Sequence, residues 1–135
     1  MIIDAKDTII GRVATRAAKK CLLGEDVHIL NCKDAVVTGK KKVTLAKYRK
    51  RRARGVQYKG PHYPKQPQRI VKRMIKGMVP DNARGREALQ RVKCYDGIPY
   101  DLRDEDTIQI EEAHISQSYA EYTTLQTISK HIGSI

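Results

Sequence analysis

The side chains of this sequence best suited to act on a partner are cationic, and they are crowded into one stretch. Between Ala35 and Pro80 there is no Asp or Glu, whereas fifteen Lys and Arg fall from Lys40 to Lys76. The densest part, KYRKRRARGVQYKGPHYPKQPQR from Lys47 to Arg69, interleaves the bases with Tyr48, Tyr58, His62 and Tyr63. Ammonium and guanidinium groups neutralise phosphates and release condensed counterions, which gives strong, salt-sensitive binding to nucleic acid. Aromatic rings among them could stack on unpaired bases, as RNA contacts favour. The alternative for the tyrosines is packing within the segment itself.

Other chemistries find less support. TGKKK from Thr38 invites a phosphate-loop reading, but that motif needs Gly where Asp34 stands and Ser or Thr where Lys41 stands. The turn before the first helix carries only Gly11, too few glycines for a dinucleotide fingerprint. There is no G-x-S-x-G elbow, and His62 and His114 have no partner in sequence that would make a dyad or triad. Cys21, Cys32 and Cys94 are widely spaced and odd in number. They are expected to be reduced thiols, with neither a disulfide framework nor a metal site. Two readings remain as rivals: a small phosphate-handling enzyme using Lys40, and a free-standing RNA regulator.

The elements that must position the bases follow from periodicity. MIID and DVHILN suit short buried strands, and GRVATRAAKKCLLG between them places Ile10, Ala14, Ala17, Ala18 and Cys21 at helical spacing. Gly24 stands where a helix takes a left-handed stop. Strand, helix and strand within about thirty residues form a βαβ unit with parallel strands. DAVVTG is a further short apolar segment. The spacing in PQRIVKRMIKGMVP predicts a helix with Pro67 in its first turn. Ile70, Val71, Met74, Ile75 and Met78 line one face, and Arg69, Lys72, Arg73 and Lys76 the other. DNARGREALQRVK reads as another helix capped by Asp81 or Asn82, VKCYDG as a late strand, TIQIEE as a candidate strand, and TTLQTISKHIG as a final helix with Leu125, Ile128 and Ile132 inward. Val43 to Pro67, with Gly55, Gly60, Pro61 and Pro64, reads as a long polar loop, a length that usually signals function.

The bulk composition agrees. A chain of 135 residues suits one domain, with a core that must be built without Phe or Trp. Its formal charge of +12 calls for a polyanionic partner. A membrane surface is not expected, because apolar runs are short and neither a signal-peptide nor a lipidation pattern is present. After Cys94 the balance inverts. Asp96, Asp101, Asp104, Glu105, Asp106, Glu111, Glu112 and Glu121 stand against Arg103 and Lys130. This acidic tail is expected to face protein or solvent, away from phosphates.

The candidate RNA-binding surface therefore combines Arg49, Lys50, Arg51, Arg52, Arg54 and Lys59 with Arg69, Lys72, Arg73 and Lys76 of the following helix. Arg12, Lys40, Lys41, Lys42, Lys47 and Lys65 extend it, as do Arg84 and Arg86, with Tyr48, His62 and Tyr63 as stacking groups. Replacing Arg51, Arg52 and Arg54 is expected to remove no buried contact.

IDA at Ile3, GRVAT at Gly11, LLGE at Leu22, ILNC at Ile29, VTGKK at Val37, GPHYP at Gly60, GMVP at Gly77, RGREAL at Arg84 and YDGIP at Tyr95 follow one another in order. Together they resemble the large-subunit ribosomal protein L-thirteen family in its archaeal form, over about Ile2 to Pro99. Cys32 stands where a small Ala is usual, and Val79 where Leu is common. The histidine-rich ending of the bacterial branch is absent. The resemblance implies a three-layer α/β/α core around a small, mostly parallel sheet. On it, residues 1–135 form one domain, with the basic segment 40–76 inserted and an acidic extension from about 100. It further implies a place on large-subunit rRNA among neighbouring ribosomal proteins, one copy per subunit and no homo-oligomer. A role in early assembly, a cytoplasmic location and the absence of catalysis or cofactor belong to the same implication.

Overall fold

The computed structural model describes residues 1–117 and 120–133. It opens with the expected βαβ unit: strand β1 (Ile2–Asp4), helix α1 (Ile10–Leu22) and strand β2 (Val27–Leu30). Helix α1 buries Ile10, Val13, Ala14, Ala17, Ala18 and Cys21, and this stripe of mostly small residues lets it lie close to its neighbours. Gly24 ends it at φ 93°, a left-handed turn that only glycine takes without strain, and the Glu25 N–H reaches back to the Lys20 carbonyl at 3.2 Å.

Strand β3 (Val36–Thr38), helix α2 (Lys41–Ala53), helix α3 (Pro67–Lys76) and helix α4 (Ala83–Gln90) follow, then strand β4 (Val92–Cys94), strand β5 (Tyr122–Thr124) and helix α5 (Leu125–His131). The first sheet is parallel, in the order β1-β2-β4, with Ile3, Ile29 and Cys94 in one row. Val27 and Val92 point the same way, and with Ile3 and Ile29 they are fully buried where α1, α3 and α4 pack. In the alternate row, Ile2 and His28 are half-buried and Lys93 is exposed. The second sheet is antiparallel, with β3 paired to β5 and with α2 and α5 packed beside it. The result is an α/β fold consistent with a three-layer α/β/α arrangement. Ile70, Ile75, Leu125 and Ile128 carry the core that Phe and Trp would carry elsewhere, each worth about 1.5–3 kcal/mol of burial.

Three expectations change in the structure. First, much of the expected long loop is helix α2. Lys and Arg are good helix formers, and Thr44 and Tyr48, four residues apart, give the helix a narrow buried stripe. Second, TIQIEE forms no strand. Ile108 bridges to the free edge of β1, through Asp4 N–H to its carbonyl (3.0 Å) and its own N–H to the Ile2 carbonyl (2.8 Å). The next outward donor, the Lys6 N–H, is taken by the Asp4 carboxylate at 3.0 Å, so the ladder stops. Third, the start of TTLQTISKHIG belongs to β5. Thr124 then caps α5, its hydroxyl accepting the Thr127 N–H at 3.3 Å.

Helix α4 falls within its expected span, whereas α3 ends at Lys76, before Met78. Asn82 is the N-cap of α4, accepting the Gly85 N–H at 2.9 Å. Gly85 is required there, because a Cβ would lie 1.7 Å from the Pro80 carbonyl oxygen. The three cysteines are free thiols, Cys21 and Cys32 buried and Cys94 half-buried.

Candidate nucleic-acid interface

The cationic face is built from α2, a short hairpin and α3. After α2 the chain turns at Gly55 and Gly60, both with positive φ (89° and 109°), and a Cβ on Gly60 would come within 2.6 Å of the Gly55 Cα. Between them Val56 and Lys59 exchange both backbone hydrogen bonds, at 2.7 and 3.2 Å. The hairpin tip presents Tyr58, which is 88% exposed. Of the three tyrosines of the segment, this one is free to stack on a base.

Tyr48 and Tyr63 turn inward instead, at 3% and 7% exposure. Their rings meet edge to face with centroids 6.0 Å apart. Burial pushes the Tyr48 phenol up to about 12, with Tyr63 adding to the rise and Arg51 opposing it. These two residues therefore pack within the fold, which corrects their reading as base-stacking groups. Tyr48 lies on the buried stripe of α2, and Tyr63 packs against its ring. They also order the arginines: Arg51 lies over both rings, at 5.3 Å from the Tyr48 centroid and 5.9 Å from that of Tyr63, and Arg73 lies over Tyr63 at 5.2 Å. Arg52 donates to the Tyr63 carbonyl. The expectation that replacing Arg51, Arg52 and Arg54 removes no buried contact is thus corrected, since two of the three brace the buried tyrosines.

Helix α3 presents its polar side as expected. Pro67, Ile70, Val71 and Ile75 are buried beneath it, while Arg69, Arg73 and Lys76 are exposed and Lys72 is half-exposed. Met78, expected on the apolar side, lies past the helix end and is 44% exposed. Arg73 is the centre of the face. It lines a cleft with Arg51 and Arg54, a groove with His62, Arg69, Lys72 and Lys76, and a third hollow with Arg86.

The arm is held from elsewhere in the chain. Ser129 of α5 donates to the Lys65 carbonyl at 2.6 Å, and Arg49 donates to Nε2 of His131 at 2.6 Å. At the start of α3 the Gln68 N–H donates to the Asp96 carboxylate at 2.9 Å. An acid from the C-terminal half thus caps the cationic helix, where a negative charge complements the helix dipole.

Not every candidate joins this face. Lys40, Lys41 and Lys42 stand at the far end of α2, about 20 Å from Arg54. Arg12 donates to the Glu112 carbonyl, Arg84 reaches the Leu22 carbonyl at 3.3 Å, and Arg86 pairs with Asp81 at 3.7 Å on the surface. Lys47, Lys50, Lys59 and Lys65 are exposed along the arm. Lys93, missed in sequence, joins Arg69 and Lys72 at a further groove; its alternation within β4 was the available signal. Asp96 was missed because a cap supplied from 28 residues away leaves no local trace.

Among the described residues two ion pairs form, Lys20 with Glu25 and Arg86 with Asp81, so no base of the α2–hairpin–α3 face is paired with an acid. Among the same residues no group of three or more His, Cys, Asp and Glu could hold a metal ion, and no helix is long and apolar enough to cross a membrane. A braced cationic face on a small α/β core defines a polyanion-binding protein.

Residues 1–101 match the family described as Ribosomal protein L13. The large ribosomal subunit protein uL13 of Methanosarcina barkeri is 43% identical over 136 residues, covering 98% of this chain and 97% of that one. The uL13 proteins of Methanococcoides burtonii and Haloarcula marismortui are each 40% identical, covering 98% and 99% of this chain and 97% and 91% of theirs. This chain belongs to the ribosomal protein L13 family.

Proposed function

We propose that the chain is a structural constituent of the large ribosomal subunit that binds its rRNA through the face formed by α2, the Gly55–Gly60 hairpin and α3. The observation that carries this reading is that face: a run of bases without an acidic partner among the described residues, fixed to the core by buried Tyr48 and Tyr63. Charge that the fold does not neutralise is matched by phosphates. Relatives that align over nearly the whole chain carry the name of a large-subunit protein. The site comprises Arg51, Arg52, Arg54, Lys59, His62, Arg69, Lys72, Arg73 and Lys76, with Tyr58 at its tip and Arg49, Lys50 and Lys65 alongside. The acidic stretch from Asp101 to Glu112 faces neighbouring protein or solvent. One copy joins each cytoplasmic subunit, during early assembly.

Sedimentation tests this reading. In a gradient of native cell extract the protein should travel with large subunits and leave them only at high salt. A protein found entirely in the slow, RNA-free fractions would overturn it.

A further inference from the structure

The arginines of the cationic face are not equivalent. Arg51 from the last turn of α2, Arg54 just past its end and Arg73 from α3 converge on one open cleft of about 490 Å³, which Tyr63 also lines. Arg51 and Arg73 lie over the same ring, at 5.9 and 5.2 Å from its centroid. That ring is fixed, because Tyr63 is 7% exposed and its carbonyl accepts a bond from Arg52. No acid lines the cleft among the described residues. Guanidiniums stacked on a rigid ring have already lost much of their rotamer freedom, so less is lost when they bind. Their planar forks match the paired oxygens of a phosphate, which an ammonium meets only as a point charge.

We propose that this cleft is a discrete seat for one backbone phosphate of folded RNA. The proposal rests on the RNA-binding reading above and adds that the seat holds its phosphate by fork geometry as well as by charge, whereas the surrounding bases act by charge alone. Arg51 and Arg73 supply bidentate donors over Tyr63, and Arg54 closes the outer edge. Lys76, exposed on the same helix, contributes through charge alone.

The test separates fork geometry from charge. The full chain is titrated with a large-subunit rRNA fragment over a salt series, as wild type, Arg73→Lys and Lys76→Ala. Each neutralised phosphate contributes a slope of about −0.9, or roughly fivefold in affinity near 0.15 M salt. Lys76→Ala should therefore weaken binding about fivefold and flatten the slope by about 0.9. Arg73→Lys keeps the charge and should leave the slope unchanged, yet weaken binding by about tenfold through loss of the bidentate pair. Arg54→Lys, which has no ring contact among the described residues, repeats the measurement should Arg73→Lys unsettle the fold. It should again lower affinity at constant slope. Lysine variants that bind like wild type would overturn the seat while leaving rRNA binding intact. Absence of rRNA binding by the wild type would instead overturn the function on which the seat rests. A parallel titration with inorganic pyrophosphate distinguishes the source of the phosphate. Weak binding, displaced by the RNA fragment, is expected; tight saturable binding that the RNA does not displace would assign the cleft to a small molecule and refute the proposal.

Discussion

Replacing Arg69, Lys72 and Lys76 together by Gln removes three charges from α3 and leaves most of each aliphatic stem in place. None of the three makes an ion pair among the described residues, and the buried side of the helix, Pro67, Ile70, Val71 and Ile75, is untouched. Fold stability should therefore change by less than about 0.5 kcal/mol. If each base neutralises one phosphate, the slope of log affinity against log salt should flatten by about 2.7, and affinity near 0.15 M salt should fall roughly 170-fold. Fluorescence anisotropy with an rRNA fragment between about 0.05 and 0.4 M salt covers the range in which such slopes are linear. A urea melt of the same preparation reports on the fold. A slope altered by less than about one unit, with the melt unchanged, would remove α3 from the RNA surface. Replacing Arg51, Arg52 and Arg54 would be a poorer experiment. It strips the cation from the Tyr48 and Tyr63 rings and the bond to the Tyr63 carbonyl, so lost affinity and lost structure would be confounded.

Three further outcomes concern the supports of this face. Asp96→Ala removes the carboxylate at 2.9 Å from the Gln68 N–H and should cost about 1 kcal/mol; Asp96→Asn should recover part of it, and a urea melt with no loss in the Ala variant would dismiss the cap. Gly85→Ala gains about 1 kcal/mol of helix propensity, but its Cβ would meet the Pro80 carbonyl oxygen at 1.7 Å. The clash should win, with a net loss of at least about 1–2 kcal/mol in the same assay; a stabilised variant would show that the 77–82 turn yields freely. Tyr48 titrates at about 12 in the fold against an ordinary value of about 10. Its neutral form is favoured by folding, so its stabilisation is complete below pH 10 and is lost as pH rises toward 12, by up to roughly 3 kcal/mol. Tyr48→Phe should flatten stability across that window, and an unchanged alkaline slope would count against the burial.

Several elements could be read from local patterns. The stripe from Ile10 to Cys21, the left-handed Gly24 and Pro67 at the head of α3 all act over a few residues, and each appears where its pattern puts it. Helix α2 was hidden because only Thr44 and Tyr48 of its thirteen residues are buried, which leaves almost no apolar periodicity among the lysines and arginines. Strand β5 was hidden because three residues, Tyr122–Thr124, gain their extended form from β3, a partner far earlier in the chain. The candidate site shows the same division. Its charge was visible in composition, and the basic side of α3 in periodicity. The inward turn of Tyr48 and Tyr63 depends on tertiary packing, as does the diversion of Arg12 and Arg84 to distant carbonyls.

The order in which a ribosome delivers this chain adds a consequence to the clamps on the cationic arm. Residues 41–65 emerge well before Asp96, which caps α3, and before Ser129 and His131, which grip Lys65 and Arg49. A nascent chain thus carries all of its Lys and Arg except Arg103 and Lys130 before it has the parts that fix the shape of that charge. The arm is expected to gain its full set of clamps only when α5 folds against α2. A chain truncated before Tyr122 should accordingly bind RNA with nearly the same salt slope and be cleaved by protease much faster between residues 54 and 66. The clamps from Ser129 and His131 thus arrive later than the charge they hold.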